Sequence, residues 1–373
     1  MKIIILDQAY PDPESDSIGD PFVHVRAKYF SETMEVVVLK THQKERLDYT
    51  FDGIFVKCTK GLEEFEEYLL GFNPQSVVVH FVEPWMYKIA ILKHQFPTFI
   101  WVHGSEALAW YRILFSVHKK NYKKFFTEYL YNNLHSLRNF RNVVRTSNEK
   151  GNPRLIFVSK WMKNVASKDC FIKIKDFDVV PNPIDDSIFK YKKKEEDDRL
   201  KILIIRSFNS PKYANDISID AILKLSKEPF FKELKFTIYG KGILFEKLTN
   251  KVSHLDNIEI NNVFLHQQEI KELHDSHGIF LCPTRMDAQG VSMCEAMSSG
   301  LVPITSNNTA IPEYVNSESG ILTNNSEDIY KGIKFLYNNP LNYLQLSKQA
   351  SESILAQCGI DKVMKREISI IGA

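Results

Sequence analysis

Two carboxylic acids eight positions apart, Asp287 and Glu295, bracket Gly290 in the stretch 283–300. A short apolar run, 278–282, precedes them, and the residues from Val291 to Met297 suit a helix that Gly300 can end. Strand, polar loop with glycine, then helix start is an order that makes a seat for a phosphate. The first helical turn carries unpaired N–H groups and the positive end of the dipole. Carboxylates beside such a seat do not hold the phosphate; they accept hydrogen bonds from hydroxyls. An anion seat flanked by hydroxyl-gripping acids suits a sugar nucleotide.

Cations that could complete the seat stand earlier in the chain. Arg206 ends the apolar run that begins at Lys201, and Lys212 follows six residues later. Arginine forks onto two phosphate oxygens, whereas lysine supplies a mobile point charge. Two histidines stand at strand ends, His80 after Val77-Val78-Val79 and His103 before Gly104. The glycine opens the backbone beside His103 and makes it the better functional candidate; His80 reads as a supporting or structural residue. Gly19 lies between the first strand and the first helix, where a glycine lets a ligand approach the chain. Asp176-Phe177-Asp178 has a spacing that can hold a metal on a diphosphate, but it runs straight into Pro181-Asn182-Pro183 and reads as surface, so no metal site is expected.

The elements that must position these residues alternate. Apolar strands are expected at 3–6, 34–40, 53–58, 76–80, 98–102 and 154–159, with helices between several of them, and again at 201–208, 236–242, 257–260, 278–282 and 302–306. That alternation argues for an α/β protein with doubly wound, mostly parallel sheets, which bind ligands beyond the carboxyl ends of their strands. A length of 373 residues accommodates two such domains. The two prolines around Asn182 stiffen a crossing between them. The expected division is 1–182 and 183–357, with a terminal helix at about 358–373 crossing back to the first domain.

The stretch 283–300 resembles the signature of the GT-B retaining glycosyltransferases of family 4 (glycosyl transferases group 1), usually two glutamates separated by seven residues. This chain has Asp287 for the first glutamate and Gln289 for the usual aromatic residue, and keeps Gly290 and Glu295. Pro181-Asn182-Pro183-Ile184-Asp185 is similar to the interdomain segment of that family, with Pro183 for a glycine. The resemblance implies two Rossmann-like domains facing each other across a cleft, and sugar transfer from a UDP- or GDP-sugar to a saccharide or lipid-linked saccharide, in cell-surface polysaccharide or glycan synthesis, with retention at the anomeric carbon. It implies that Arg206, Lys212, Gly19, Gly290 and Val291 hold the donor diphosphate. Gln289 would lie at the donor, Glu295 would grip the ribose, Asp287 the donor sugar, and His103 would position that sugar near its reacting carbon. No metal or other cofactor is implied. A nucleotide-sugar-binding module without turnover, and an epimerase of the same shape, are the alternatives.

Composition limits what else the chain can be. A net charge of +2 argues against a nucleic-acid-coating protein, and the five scattered cysteines form neither a disulfide framework nor a zinc motif and suit a cytoplasmic compartment. The charge is uneven. Between residues 110 and 175 fifteen lysines and arginines stand against three acids, interleaved with Phe115, Phe125, Phe126, Tyr129, Tyr131 and Phe140. Such a face can rest on an anionic membrane surface, so a peripheral position on the cytoplasmic face is one expectation and a solvated helix face the other. No nucleic-acid motif accompanies it.

Overall fold

The computed structural model describes residues 1–13, 19–43, 47–118 and 121–372. Contacts divide the chain into two units. Unit 1 comprises 1–112, 117–183 and 361–373, and unit 2 comprises 113–116 and 184–360.

Among the described residues unit 1 has eight strands: β1 (Lys2–Leu6), β2 (Glu35–Lys40), β3 (Tyr49–Phe51), β4 (Ile54–Cys58), β5 (Ser76–His80), β6 (Thr98–Val102), β7 (Arg154–Phe157) and β8 (Asp178–Val179). Their order is β3-β4-β2-β1-β5-β6-β7-β8, parallel except for the edge pair β3–β4. Ile3, Ile4, Ile5 and Leu6 are fully buried, as are Val77 and Val78, because helices cover a parallel sheet on both faces. After β1 the chain winds outward through β2 and β4, then returns to lay β5 on the other side of β1. The switch point therefore lies between β1 and β5, where Gly19 and His80 stand on the outgoing loop and the strand end. In such sheets this is where ligands bind.

Two short strands depart from expectation. β3 is a three-residue antiparallel edge too brief to leave a period-two pattern. β8 contains Asp178, whose carboxylate takes a 2.7 Å hydrogen bond from Arg154 Nε. Asp178 is thus a partly buried ion-paired residue of the sheet edge rather than a surface residue.

The helix Ile360–Ile371 belongs, from Asp361 onward, to unit 1. Its Glu367 is completely buried and takes hydrogen bonds from Arg26 at 2.9–3.0 Å and from Trp101 Nε1 at 3.2 Å. Arg26, itself fully buried, also donates to Phe22 O and to Asn182 Oδ1. A charge removed from water needs this density of partners.

Unit 2 has six parallel strands, β9 (Lys201–Ile205), β10 (Lys235–Tyr239), β11 (Ile258–Asn261), β12 (Ile279–Cys282), β13 (Val302–Ser306) and β14 (Ile321–Thr323), in the order β11-β10-β9-β12-β13-β14. Ile202, Ile204, Phe236, Ile238, Ile279, Leu281 and Ile304 form its core with Ile219 and Ile222 from the helix Asn215–Leu225. The switch point is between β9 and β12, so the loops after these two strands carry the residues that a ligand would meet. After β13 the chain makes a 3-10 turn at Ile311–Glu313.

Candidate functional site

The loop after β12 is shaped by its own aspartate. Asp287 Oδ1 accepts the N–H of Gly290 at 2.9 Å and that of Gln289 at 3.3 Å. Aspartate is short enough to turn back on the backbone two and three residues ahead, which a glutamate is not. One of its oxygens therefore fixes the loop rather than standing ready for a sugar hydroxyl. Gly290 follows at φ +81°, a left-handed conformation that a side chain resists, and a Cβ there would come within 3.1 Å of Ile311 Cδ1. The helix Val291–Ser298 begins immediately after it, and Gly300 at φ +92° follows its end.

Arg206 lies against that helix start. It is 7% exposed, its Nη1 donates to Ser292 Oγ at 3.2 Å, and its buried Nε has no hydrogen-bond partner. Arg206 makes no ion pair among the described residues. A buried guanidinium without a carboxylate and with a spare donor is costly unless an anion completes it. Tyr213 links it to the second cation: its ring lies 5.0 Å from the Arg206 guanidinium carbon and 5.6 Å from Lys212 Nζ.

The Lys212 loop is tied to the loop after β12 by residues that sequence reasoning passed over. Arg285 N–H donates to Lys212 O at 2.8 Å, and the Arg285 guanidinium pairs with Asp216 at 2.7–2.9 Å and donates to Pro211 O. Thr284 Oγ1 also donates to Lys212 O at 3.2 Å. Unit 2 thus brings Arg206, Lys212, Gly290 and Val291 to one region at the switch point. Arg285 lay in plain view as a cation within the signature, but nothing local told a structural clamp from a ligand contact.

Glu295 sits on the second turn of the helix, half-buried, with no hydrogen bond to its carboxyl among the described residues. Desolvation alone pushes it up to about 8. Gln289, expected at the donor, is 2% exposed and its amide is turned to Cys358 Sγ, 3.7 Å away, so the side chain takes part in the loop's packing.

In unit 1, Gly19 has φ +66°, and a Cβ on it would lie 2.4 Å from Ala9 O. Its conformation is demanded first by its own loop, where Asp20 N–H donates to Ala9 O at 2.9 Å. Burial holds the carboxyls of Asp7 and Asp20 above the ordinary range, and the Asp20 charge adds to the rise at Asp7.

His103 is partly exposed and ringed by aromatics, with Phe81 at 4.7 Å, Phe22 at 4.9 Å and His80 at 5.2 Å between ring centroids. Phe81 has φ +54°, a conformation unusual for an aromatic residue and one that turns its ring onto the histidine. His103 Nε2 and His80 Nδ1 are 2.9 Å apart. The backbone N–H groups of His103 and Gly104 both donate to the Glu106 carboxylate, at 2.8 and 3.0 Å. Burial, with the Arg26 charge second, keeps the His103 imidazole well below its ordinary value, hence neutral. Glu106 was not expected; an acid three residues after a strand-end histidine is its only sequence signal.

Of the basic segment, Lys119 and Lys120 lie outside the described residues. Its aromatics separate: Phe125 and Phe140 are buried, whereas Phe126, Tyr129 and Tyr131 are exposed along with Leu134 on the helix Leu130–Lys150. No helix among the described residues is long and apolar enough to cross a membrane. The five cysteines are free and buried. A concavity of about 1020 Å³ in unit 2 runs along Phe236, Asn257 and Glu259, at the amino ends of β10 and β11, and none of the site residues lines it.

Residues 185–353 match the family model of the glycosyl transferases group 1. A curated relative, an uncharacterized glycosyltransferase of Haemophilus influenzae, is 29% identical over 140 residues, 36% of this chain and 39% of its own length. The chain therefore spans well under half of that relative. Among solved structures, sucrose-phosphate synthase of Thermosynechococcus elongatus aligns over 99% of this chain and 98% of its own with a TM-score of 0.77 and 11% identity. Anabaena HepE in complex with UDP and glucose aligns over 100% and 99% with a TM-score of 0.72 and 13% identity. The chain thus has an α/β fold of two parallel-sheet domains that matches GT-B glycosyltransferase structures, and its residues 185–353 are similar to the glycosyl transferases group 1.

Proposed function

We propose that this protein is a retaining glycosyltransferase that moves a hexose from a nucleoside-diphosphate sugar to a saccharide or lipid-linked saccharide. The observation that carries the reading is Arg206: a nearly buried guanidinium with a spare Nε, lying on Ser292 at the start of the helix Val291–Ser298. The region matched to the group 1 glycosyl transferases contains all of these residues. In the reaction the sugar–phosphate bond breaks and negative charge grows on the leaving diphosphate. Donors already aimed at that charge, Arg206, Lys212 and the amides at Gly290 and Val291, favour the transition state over the bound substrate. Glu295 accepts from the ribose hydroxyls, the free oxygen of Asp287 from the sugar, and His103 adds one hydrogen bond to the sugar. Because HepE was solved with UDP and glucose, UDP-sugars are the donors to try first. The basic face of unit 1, with exposed Phe126, Tyr129 and Tyr131, suits an acceptor carried on an anionic membrane surface in the cytoplasm, within polysaccharide synthesis. The proposed chemistry needs no metal.

The engaged oxygen of Asp287 favours a second reading, a module that holds a sugar nucleotide without turning it over. The test is to supply UDP- and GDP-sugars with membrane and saccharide extracts, then follow released nucleoside diphosphate and the anomeric configuration of the product. Transfer with retention supports the enzyme; binding without release under all acceptors supports the module.

A further inference from the structure

We infer that His80 is a positioning residue for His103, donating from its Nδ1 to His103 Nε2 and so obliging His103 to present an Nδ1–H to its ligand. The geometry points to this direction of the bond. The two nitrogens are 2.9 Å apart, so one ring donates and the other accepts. The opposite nitrogen of His80, Nε2, is buried and has no partner. If His103 donated, His80 would have to carry its proton on Nε2, leaving an N–H group buried and unsatisfied. If His80 donates, only a lone pair is left bare. Orphaned buried N–H groups are the rarer of the two in folded proteins. Nor does the neighbouring ring rescue an N–H there. Trp101 lies 5.5 Å from His80 with only 31° between the planes, so an in-plane N–H would run along the indole rather than into its face.

A doubly protonated pair is disfavoured as well. His80 is fully buried, and the charge of Arg26 adds to the cost of a second proton on either ring. The groups that fix His103 are then divided between its two sides. Glu106 holds its backbone, and His80 holds Nε2. Phe22 and Phe81 limit its rotation. What remains for a ligand is a single donor of fixed direction, matched to an oxygen that accepts. The tautomer follows from the structure of unit 1 alone; its effect on turnover rests on the transferase reading above.

The test is nitrogen-15 NMR of histidine-labelled protein, with His103 assigned among the eleven histidines by the loss of its signals in His103→Gln. The wild type is expected to show protonated Nδ1 and bare Nε2 at His103. His80→Phe keeps a ring in the same space and removes the donor, so the Nδ1–H form should give way to a mixture richer in Nε2–H. His80→Asn returns an N–H near the position of Nδ1 and should restore the wild-type pattern. With a turned-over donor, kcat/KM should fall about 10-fold in His80→Phe, one hydrogen bond's worth, and recover in His80→Asn. A wild-type proton on His103 Nε2, or a His80→Phe spectrum identical to wild type, overturns the inference even if either variant folds poorly, because the wild-type spectrum alone decides the first point. A wild type that shows Nδ1–H yet turns over no sugar nucleotide supports the tautomer and counts against the transferase reading.

Discussion

Replacing Glu295 with glutamine should stabilise unit 2 at alkaline pH and leave it unchanged in acid. The carboxyl is half-buried on the second turn of its helix, and desolvation raises it from 4.5 to about 8. A group whose folded value exceeds its unfolded value contributes stability that is complete below the unfolded value and is lost as pH rises through the folded one. For Glu295 that window runs from about pH 4.5 to about pH 8. At about 1.4 kcal/mol per unit the full shift would approach 5 kcal/mol, but a partly exposed carboxyl is screened by water, and about 2 kcal/mol is the working figure. Glutamine has the shape of the protonated acid and does not titrate. In a unit of this size, about 2 kcal/mol moves the melting temperature by roughly 4–8 °C. Differential scanning calorimetry of wild type and Glu295→Gln should therefore show transitions that coincide near pH 4.5 and separate, with the variant higher, by pH 9. The same carboxyl carries a binding signature. Ribose hydroxyls donate to the ionised form, so UDP affinity should rise with pH by up to about tenfold per unit below pH 8. An unchanging gap in melting temperature from pH 4.5 to 9 would refute the claim that burial without a partner governs this group.

Further outcomes follow from the same geometry. Asp287→Asn keeps an oxygen for the Gly290 N–H and should preserve the loop, whereas Asp287→Ala should cost about 1 kcal/mol and weaken nucleotide binding, as read by calorimetry. Gly19→Ala puts a methyl 2.4 Å from Ala9 O at φ +66°, and urea titration should show unit 1 less stable by at least about 2 kcal/mol. Glu367→Ala strands the buried guanidinium of Arg26 and should cost about 3–5 kcal/mol, read as a lower urea midpoint of the unit 1 transition.

The parallel sheets were legible because their strands are apolar on both faces: Ile3-Ile4-Ile5-Leu6 and Ile202-Leu203-Ile204 leave no ambiguity once helices intervene. The helix after Gly290 was legible for a related reason, since the residues from Val291 to Met297 suit a helix and Gly300 marks the stop. What escaped was tertiary pairing. Nothing near Asp178 announces Arg154, twenty-four residues away, and nothing near Lys212 announces Arg285. The site residues were named from their types, but their engagement was not visible. Asp287 turned inward because a short carboxylate finds its own backbone first, and Gln289 was claimed by the interior beside Cys358. His80 was read as supporting or structural without its role, because the partner that gives it meaning lies on the neighbouring strand's end.

The account turns on Arg206 as the seat of a diphosphate. Isothermal titration of UDP into wild type and Arg206→Ala, with circular dichroism to establish that the variant is folded, addresses it directly. Removal of a charged donor from a nearly buried anion site should weaken binding by roughly 10- to 100-fold. A folded Arg206→Ala protein that binds UDP as tightly as wild type would contradict the account.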